Sequence, residues 1–470
     1  MGSTVLYRSE KLLDEKNIYF CVITLILETN IMNNIFKSPW AWIPTLYFIE
    51  GIPYFIVNNI SVMMFTKMGV PNGEMAFFTS LLYLPWTIKP FWSPFVDIIK
   101  TKRWWIISMQ ILMSLFFILL TLSIPYPSVE TIASGTTPIS MFTITLLLFI
   151  LTAFASATHD IAADGFYMLS LNNSDQAKFV GIRSTFYRLA SIFGQGVLVA
   201  VAGWIEVKYN NIPLSWTITI GLSSIIFALI TLYHIYILPR PASDHSVIGH
   251  GNAKAKEIFY EFGRTFATYF TKPGVWFAIL FMLLYRLPEA FLLKMCMPFL
   301  VANKEVGGLQ LSTAEVGIVY GTIGVISLTI GGIIGGIYAS RVGLKRAIWW
   351  MAASITLPCL AFVYLATALP DNIYLISAAI AIDQFGYGFG FTAYMLYMMY
   401  FSGGEFKTSH YAICTAFMAL SMMIPGMFAG YIQEALGYIN FFWMVIACSM
   451  ATVIVTIFVD RQIDSNFGKK

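Results

Sequence analysis

The sequence predicts an all-α, multi-pass membrane protein with twelve transmembrane helices in two pseudo-symmetric six-helix halves. Three observations predict this fold class. Of the 470 residues, 58% are hydrophobic and 11% are charged, whereas a soluble domain carries about 25% charged residues. Twelve apolar runs are long enough to cross a bilayer as helices. The basic loops after the second and eighth runs are alike, which indicates an internal repeat of the kind that secondary transporters contain.

The predicted spans follow one another through short loops, and basic residues indicate their orientation. We place the spans at 40–66, 74–97, 104–125, 140–168, 179–205, 214–238, 274–302, 312–339, 347–369, 372–400, 408–436 and 438–459. Most loop Lys and Arg residues fall on one side, among them Lys37, Lys102, Arg264, Arg346 and Lys407. Since cytoplasmic loops carry the excess of Lys and Arg, we expect both termini to be cytoplasmic.

The chain divides into five parts. These are an N-terminal extension (1–36), a first half (37–238), a cytoplasmic connector with an amphipathic helix (239–273), a second half (274–460) and a tail (461–470). The apolar run in the extension, 18–27, is too short to span a bilayer and lacks a signal-peptide cleavage site. We therefore expect a disordered extension, with a natural start near Met32.

The bulk charge and the cysteines exclude several other classes of function. A net charge of +4 spread over 470 residues does not indicate a nucleic-acid partner. The five cysteines include no C-x-x-C pair, and four of them lie in apolar segments. We expect neither a metal site nor a disulfide framework, and the expected partners are a small-molecule substrate and the lipid bilayer, with the protein as a monomer.

The two matching loops read SPFVDIIKTKRWWI (Ser93–Ile106) and GGIYASRVGLKRAIWW (Gly335–Trp350). They resemble the loop signature of the major facilitator superfamily, G-x-x-x-D-x-x-G-R-K/R. The first copy keeps three residues of this signature, Asp97, Lys102 and Arg103, and the second keeps five, Gly336, Arg341, Gly343, Lys345 and Arg346. In that family the loop latches the two halves, so the resemblance implies a gating role for these residues.

Longer segments are similar to one branch of the superfamily, the AmpG-type permeases. They read KSPWAWIPTLYFIEGIPY, YLPWTIKPFWSPFVD, SATHDIAADGF and RLPEAFLLKMCMPFL, together with the segment that begins DQFGYGFGFTAYML. The resemblance implies proton-driven import of an anhydro-muropeptide or a related peptide or amino-sugar compound across the bacterial inner membrane, without another cofactor. The branch also contains acetyl-CoA carriers, so an acetyl-CoA-like or siderophore-like anion is the alternative cargo.

Ionisable residues inside spans are candidates for function because burying them in a bilayer is costly. They concentrate in spans 1, 4, 7 and 10, which line the central cavity of the major facilitator fold. These residues are Glu50, His159, Asp160, Asp164, Arg286, Glu289, Lys294 and Asp383. We expect Glu50, Asp160 and Asp383 to couple proton and substrate movement.

The predicted substrate cavity adds polar and aromatic residues from the same spans and their neighbours. Its members are Lys89, His159, Arg188, Arg286, Glu289, Gln384, Tyr394 and Tyr397. Several have a structural alternative: helix packing is the preferred interpretation for His159 and the two tyrosines, and Arg286 fits an internal ion pair with Glu289, across a kink at Pro288, equally well.

Residue numbering suggests ion pairs across helix hairpins. Residues at equal depth in an antiparallel hairpin have a nearly constant sum of residue numbers. This predicts the pairs Glu50–Lys89, Asp160–Arg188 and Asp164–Arg183, of which the last is expected to be a structural gate near the cytoplasmic end. Breaking such a buried pair typically costs about 3–5 kcal/mol.

An integral-membrane enzyme is the competing class of function. The acidic residues of span 4 could in principle hold a metal or perform acid–base chemistry. The sequence contains no H-E-x-x-H, G-x-S-x-G or Cys/His zinc spacing that would support this hypothesis. We therefore expect a secondary transporter and not an enzyme.

Overall fold

The structure, a computed structural model, describes residues 38–124, 139–171, 173–244, 252–404, 407–465 and 467. These residues are overwhelmingly helical, and no strand occurs among them. The predicted extension 1–36 lies outside the described residues. The fold class predicted from composition and periodicity is confirmed.

Six helical spans form the first half. They are α1 (Pro39–Lys67), α2 (the short helices Asn72–Leu81, Leu84–Ile88 and Ser93–Ile98), α3 (Lys102–Ser123), α4 (Ile139–Ser170), α5 (Asn173–Ser191 continued by Ile192–Leu198 and Val199–Tyr209) and α6 (Ile212–Ile237). Side-chain caps fix several starts, because the first N–H groups of a helix lack partners within it. Ser38 caps α1, Thr101 caps α3 and Asn211 caps α6.

Six spans form the second half after a connector helix (Asn252–Phe270). They are α7 (Val275–Val301), α8 (Thr313–Val342), α9 (Leu344–Ala368), α10 (Ile373–Phe401), α11 (407–436) and α12 (438–460). The last two form one helical segment, Lys407–Asp460, that turns at Gly437. Gly437 has φ 72°, a left-handed conformation that glycine adopts without strain.

Nine helical segments of the described chain are long and apolar enough to cross a membrane. One of these segments contains both α11 and α12. Helix α10 and the interrupted α2 complete the twelve predicted spans. Helix α2 was expected as one span, but Pro85, Pro90 and Pro94 interrupt it, since proline cannot donate the backbone hydrogen bond of a helix interior.

The outer surface of the helix bundle is apolar. Many large hydrophobic side chains point away from the protein, among them Leu122, Val207, Trp276 and Met450, each at least 68% exposed. A surface of this kind suits lipid contact. By contrast, the apolar part of α1 is mostly buried, as expected for a helix that lies at the centre of the bundle.

The apolar core is continuous across the two halves only on one side of the bundle. We call the side that carries the basic loops the basic side. Away from it, one buried cluster contains Phe65 and Val199 of the first half with Val316 and Tyr438 of the second. Nearer the basic side, each half has a separate cluster. The halves are therefore closed against each other on the side away from the basic loops.

Small residues permit this closure. A Cβ atom added to Gly321 of α8 would lie 1.9 Å from the carbonyl oxygen of Gln195 in α5. One added to Gly203 of α5 would lie 2.2 Å from the amide nitrogen of Ala314. The backbones of α5 and α8 therefore approach so closely that only glycine fits at the crossing.

Candidate functional site

Two buried carboxyl clusters lie in the centre of the bundle, one in each half. The first consists of Glu50, His159 and Asp160, and the second of Glu289, Cys359 and Asp383. Within each cluster, the potential ligand atoms lie within 4.8 Å of one another. Two ionised carboxylates at that separation repel by about 3.5 kcal/mol at an effective dielectric constant of about 20. Each cluster therefore favours binding of a cation.

The first cluster joins α1 to α4. Trp86 of α2 donates its indole N–H to Asp160 Oδ2 at 2.9 Å. Glu50 is 7% exposed, and its Oε2 has no hydrogen-bond partner among the described residues. The charge of Lys89 acts on both carboxylates. The structure thus brings Glu50 and Asp160 together as a carboxyl pair, with Lys89 near enough for its charge to act on both.

One of the three predicted ion pairs is present. Arg183 Nη2 lies 2.5 Å from Asp164 Oδ1, and the Arg183 guanidinium carbon lies 4.4 Å from the ring centroid of Tyr47. Tyr47 donates its hydroxyl to the same carboxylate oxygen at 3.4 Å. The Asp164–Arg183 pair is therefore a bridge between α4, α5 and α1 towards the basic side.

The other two pairs were predicted wrongly. Within the described residues, neither Glu50–Lys89 nor Asp160–Arg188 forms an ion pair within 4.0 Å. Arg188 instead donates to Thr329 Oγ1 of α8 at 3.2 Å. Equal depth does not fix the direction in which a side chain points, and Arg188 faces the second half.

His159 belongs to a buried polar chain through the first half. Its Nε2 lies 2.9 Å from Gln110 Nε2, and Gln110 Oε1 lies 3.1 Å from His234 Nδ1. His234 Nε2 in turn lies 2.9 Å from Thr45 Oγ1. With the amide of Gln110 assigned as donor to His159, the neutral imidazole carries its proton on Nδ1, the one ring nitrogen without a partner. The packing role and the cavity role predicted for His159 are both compatible with this geometry.

The second cluster lies beside a break in α7. Helix Val275–Leu284 ends before Arg286, and helix Leu287–Val301 begins with Pro288 in its first turn. Gln384 donates its amide to Asp383 Oδ2 at 3.1 Å. Neither carboxylate oxygen of Glu289 has a hydrogen-bond partner among the described residues. Within the described residues, the internal Arg286–Glu289 ion pair considered above does not form at 4.0 Å or less, although the charge of Arg286 acts on Glu289.

Arg286 lies in an aromatic cage at the same break. Its Nη2 donates to the Tyr387 hydroxyl at 2.5 Å, and its guanidinium carbon lies 4.7 Å from the Phe391 ring centroid and 5.6 Å from that of Tyr394. The residue is 4% exposed, and its Nε has no partner in the described chain. Its charge also acts on Tyr54 of the first half. Arg286 is a buried cation at the boundary of the two halves.

The predicted cavity tyrosines lie deep in helix packing. Tyr394 and Tyr397 are fully buried, and Tyr394 donates its hydroxyl to the Met282 carbonyl at 2.6 Å. The ring of Tyr397 lies 4.5 Å from that of Phe281. Tyr394 contributes its ring face to the cage of Arg286, whereas Tyr397 packs α10 against α7.

Besides Lys294, a cavity between the halves contains residues that sequence reasoning did not select. It has a volume of about 50 Å³ and is lined by Asn58, Asn59, Tyr83, Lys294 and Tyr320, among others. Lys294 donates to Thr79 Oγ1 at 2.9 Å and is 7% exposed. The adjacent amides of Asn58 and Asn59 inside an apolar span were the signal that could have identified this cavity.

The loop-motif residues anchor helix ends. The backbone N–H groups of Lys102 and Arg103 donate to the carboxylate of Asp244, at 2.6 and 3.0 Å. Arg103 also donates to the carbonyl oxygens of Leu238 and Ile235. Within the described chain, the first loop thus ties the start of α3 to the end of α6, and Asp244 was not predicted. The side chain of Asp97 lies outside the described part.

The second loop copy is built around a turn. Gly343 has φ 81°, which favours glycine, and it separates α8 from α9. Leu344 donates its backbone N–H to the Phe467 carbonyl at 2.9 Å. Gly336 has open space around it, and Arg341, Lys345 and Arg346 follow on the basic side.

Polar contacts seal the halves on the side away from the basic loops. Asn72 of α2 donates to Gln433 Oε1 of α11 at 2.7 Å, and the Gly73 amide donates to Glu434 Oε1 at 2.7 Å. Thr313 of α8 donates to Glu206 of α5 at 2.7 Å. We refer to the contacts of Asn72 and Gly73 with Gln433 and Glu434 as the outer latch.

Comparison with known proteins identifies the superfamily. The chain is 23% identical over 427 residues to the "Anhydromuropeptide permease" of Escherichia coli (strain K12), covering 90% of this chain and 80% of that protein. It is 24% identical over 429 residues to the "Putative transporter AmpG 4" of Rickettsia felis, covering 88% and 95% of the two chains.

Solved structures share the fold. A D-xylose–proton symporter superposes with a TM-score of 0.67 at 12% identity, over 93% of this chain and 99% of that one. An inward-facing, unoccupied bacterial homologue of the human lysosomal transporter Spinster gives 0.67 at 14% identity, over 91% and 96%. The family model described as "Major Facilitator Superfamily" matches residues 43–409. The chain therefore belongs to the Major Facilitator Superfamily and is a transporter, not an enzyme.

Proposed function

We propose that this transporter imports an anionic solute of the anhydro-muropeptide kind together with protons, by alternating access across a bacterial inner membrane. The observation that carries the proposal is Arg286, a buried guanidinium at the boundary of the halves without an ion-pair partner within 4.0 Å in the described chain. A relative named anhydromuropeptide permease supports the choice of cargo.

Arg286 suits the recognition of a carboxylate. A guanidinium binds carboxylates through two parallel hydrogen bonds, and burial strengthens such charge-assisted contacts. Its Nε has no partner among the described residues, so a donor is free for the substrate. The surrounding rings of Tyr387, Phe391 and Tyr394 hold the guanidinium in place through cation–π contacts. Lys294, in the cavity nearby, provides a second cation.

The buried carboxylates suit proton coupling. Glu50, Asp160 and Asp383 lie in clusters where neighbouring carboxylates repel, so proton binding relieves repulsion in each. Binding energy from a proton is then available to the conformational change. We assign the coupling role to these residues, and the adjacent Lys89 and Gln384 to their stabilisation.

The closed outer latch and the separate cores on the basic side support an inward-facing state. Import requires the reverse arrangement, in which the latch opens and the basic side closes. We propose that the Asp164–Arg183 bridge and the loop residues Lys102 and Arg103 keep the first half rigid during this exchange. The basic side then faces the cytoplasm.

Uptake into proteoliposomes tests the proposal. With an inward proton gradient, a labelled anhydro-muropeptide should accumulate, and unlabelled anhydro-muropeptide should compete better than free peptides, amino sugars, acetyl-CoA or a siderophore. Substituting Arg286→Gln should raise KM at least tenfold, whereas the exposed control Arg461→Gln should behave as wild type. Accumulation of another anion of the panel in place of the muropeptide would contradict the proposed cargo.

A further inference from the structure

We propose that each half carries its own proton site, so that two protons accompany each solute molecule, and that the second site is the pair Glu289 and Asp383. This inference rests on the proposed proton coupling and extends it to a stoichiometry and to a site in the second half. It is argued from an internal repeat, from burial and from the charge balance of the two clusters.

The repeat is visible in the fourth helix of each half. Helix α4 contains DIAADGF, from Asp160 to Phe166, and α10 contains DQFGYGF, from Asp383 to Phe389. Asp160 and Asp383 occupy the same position in this D-x-x-x-x-G-F pattern. The two aspartates are therefore equivalent positions of the two halves.

The partner glutamates come from the first helix of each half. Glu50 lies three residues before Pro53 in α1, and Glu289 lies one residue after Pro288 in α7. Counted from the proline of its own helix, Glu50 is at position −3 and Glu289 at position +1. These positions differ by four residues, which is about one helical turn, so the two glutamates lie on the same side of their helices relative to the proline. In each half this face meets the aspartate of the fourth helix, with carboxylate oxygens within 4.8 Å.

The second pair is more deeply buried than the first. Glu289 and Asp383 are each 1% exposed. Glu289 has two unpartnered oxygens within the described chain, and Asp383 accepts from Gln384. An isolated buried carboxylate of this kind needs either a proton or a cation. The unpartnered oxygens of Glu289 are thus an independent indication that something binds there.

The charge balance is the same in both halves. In the first half, the carboxylates of Glu50, Asp160 and Asp164 face two cations, Lys89 and Arg183, whose charges act on both Glu50 and Asp160, so one negative charge is in excess. In the second half, Glu289 and Asp383 face Arg286, whose charge acts on Glu289, so one negative charge is again in excess. One bound proton brings each half to neutrality, which gives two protons per molecule.

The donor set of the second cluster favours a proton over a metal ion. Its third member is the Cys359 thiol, and Gln384 presents its N–H group to Asp383, so few oxygen ligands are available for the six or more that hard cations prefer. The other titratable groups that face the pair are Arg286 and Cys296 of α7, Tyr320 of α8, Cys359 of α9 and Tyr387 of α10.

Arg286 links this site to the solute. When Arg286 binds a substrate carboxylate, its charge is shared, and Glu289 loses part of the cationic charge that acts on it. Protonation of the pair then becomes more favourable, and by reciprocity a protonated pair leaves Arg286 free for the substrate. The second proton is therefore bound together with the solute.

Infrared difference spectroscopy tests the site without any substrate. The purified full-length protein should show two carbonyl-stretch bands of protonated carboxylic acids that shift in D2O. The double variant Glu289→Gln/Asp383→Asn should lose one band, and Glu50→Gln/Asp160→Asn the other. The control Asp371→Asn, at an exposed ion pair with Lys304, should retain both. A wild-type spectrum with one such band, or none, would overturn the inference.

The stoichiometry follows from the gradient that stops net flux. With the membrane potential clamped at zero, a tenfold gradient of labelled anhydro-muropeptide should be balanced by an opposing gradient of about half a pH unit for two protons. The Glu289→Gln/Asp383→Asn variant should need about one unit. A one-unit balance for wild type would refute the two-proton stoichiometry. If no muropeptide moves at all, the cargo assignment fails, and the infrared bands still decide whether the site exists.

Discussion

Gly430 of α11 offers a direct test of the closed outer latch. A Cβ atom added there would lie 1.9 Å from the Asn72 carbonyl oxygen and 2.7 Å from the Gly73 amide nitrogen. Both atoms are backbone, so α2 and α11 must move apart to accommodate Gly430→Ala. That movement also strains the hydrogen bonds of the latch, which join Asn72 to Gln433 and Gly73 to Glu434.

The expected magnitude follows from these contacts. Overpacking a close contact costs about 1–3 kcal/mol, and weakening two hydrogen bonds adds about 1 kcal/mol each. Residue 430 lies in a helix in both states, so the preference of about 0.5–1 kcal/mol for alanine over glycine in a helix leaves the equilibrium between them unchanged. We expect a net shift of about 3–5 kcal/mol towards the outward-open state, which is more than about a hundredfold in the conformational equilibrium.

Cysteine accessibility measures this shift. Leu293 lines the cavity between the halves, so Leu293→Cys in a cysteine-free background reports access from the outside to a membrane-impermeant maleimide. Labelling should rise about tenfold or more with Gly430→Ala. The matched control is Gly263→Ala in the connector helix, since a Cβ atom at Gly263 has open space around it. Unchanged labelling in the Gly430→Ala protein would refute the closed latch.

Three further substitutions have defined outcomes. Trp86→Phe keeps an aromatic ring but removes the N–H donor to Asp160. Proton-driven uptake should therefore fall, whereas solute counterflow should persist because it needs no net proton movement. Equal losses of both activities would contradict the coupling role. Asp164→Asn should lower the free energy of unfolding by about 1 kcal/mol and leave KM unchanged. The effect is small because the Asp164 side chain is 43% exposed. Lys294→Met should raise KM for an anionic solute about tenfold, as measured by initial uptake rates, and an unchanged KM would place Lys294 outside the substrate path.

Hydrophobic run length and charge position were sufficient to predict much of the fold. The run lengths predicted the twelve spans because a bilayer imposes a fixed length on each helix. The Asp164–Arg183 pair was predictable since both residues lie near the ends of adjacent helices, where a short loop limits the possible offsets. The interruption of α2 could also have been predicted, from Pro85, Pro90 and Pro94.

Long-range contacts at the site could not be predicted in this way. Arg188 faces Thr329, in a helix more than a hundred residues away, and the direction of its side chain depends on the rotation of α5. A π-helical turn at Ile192–Leu198 follows directly, and apolar periodicity does not reveal such turns. The Glu289–Asp383 contact joins α7 to α10 and depends on the break at Arg286. The matching basic loops indicated that the second half repeats the first, and the shared D-x-x-x-x-G-F pattern extends this repeat to Asp160 and Asp383.

In the proposed mechanism, protons and an anhydro-muropeptide move in the same direction through one protein. Adding anhydro-muropeptide to proteoliposomes that contain a trapped pH indicator, without an imposed gradient, measures this movement directly. The lumen should acidify only when the solute is present, and this acidification should be absent in Arg286→Gln. Solute entry without a change in lumenal pH would show that protons do not accompany the solute.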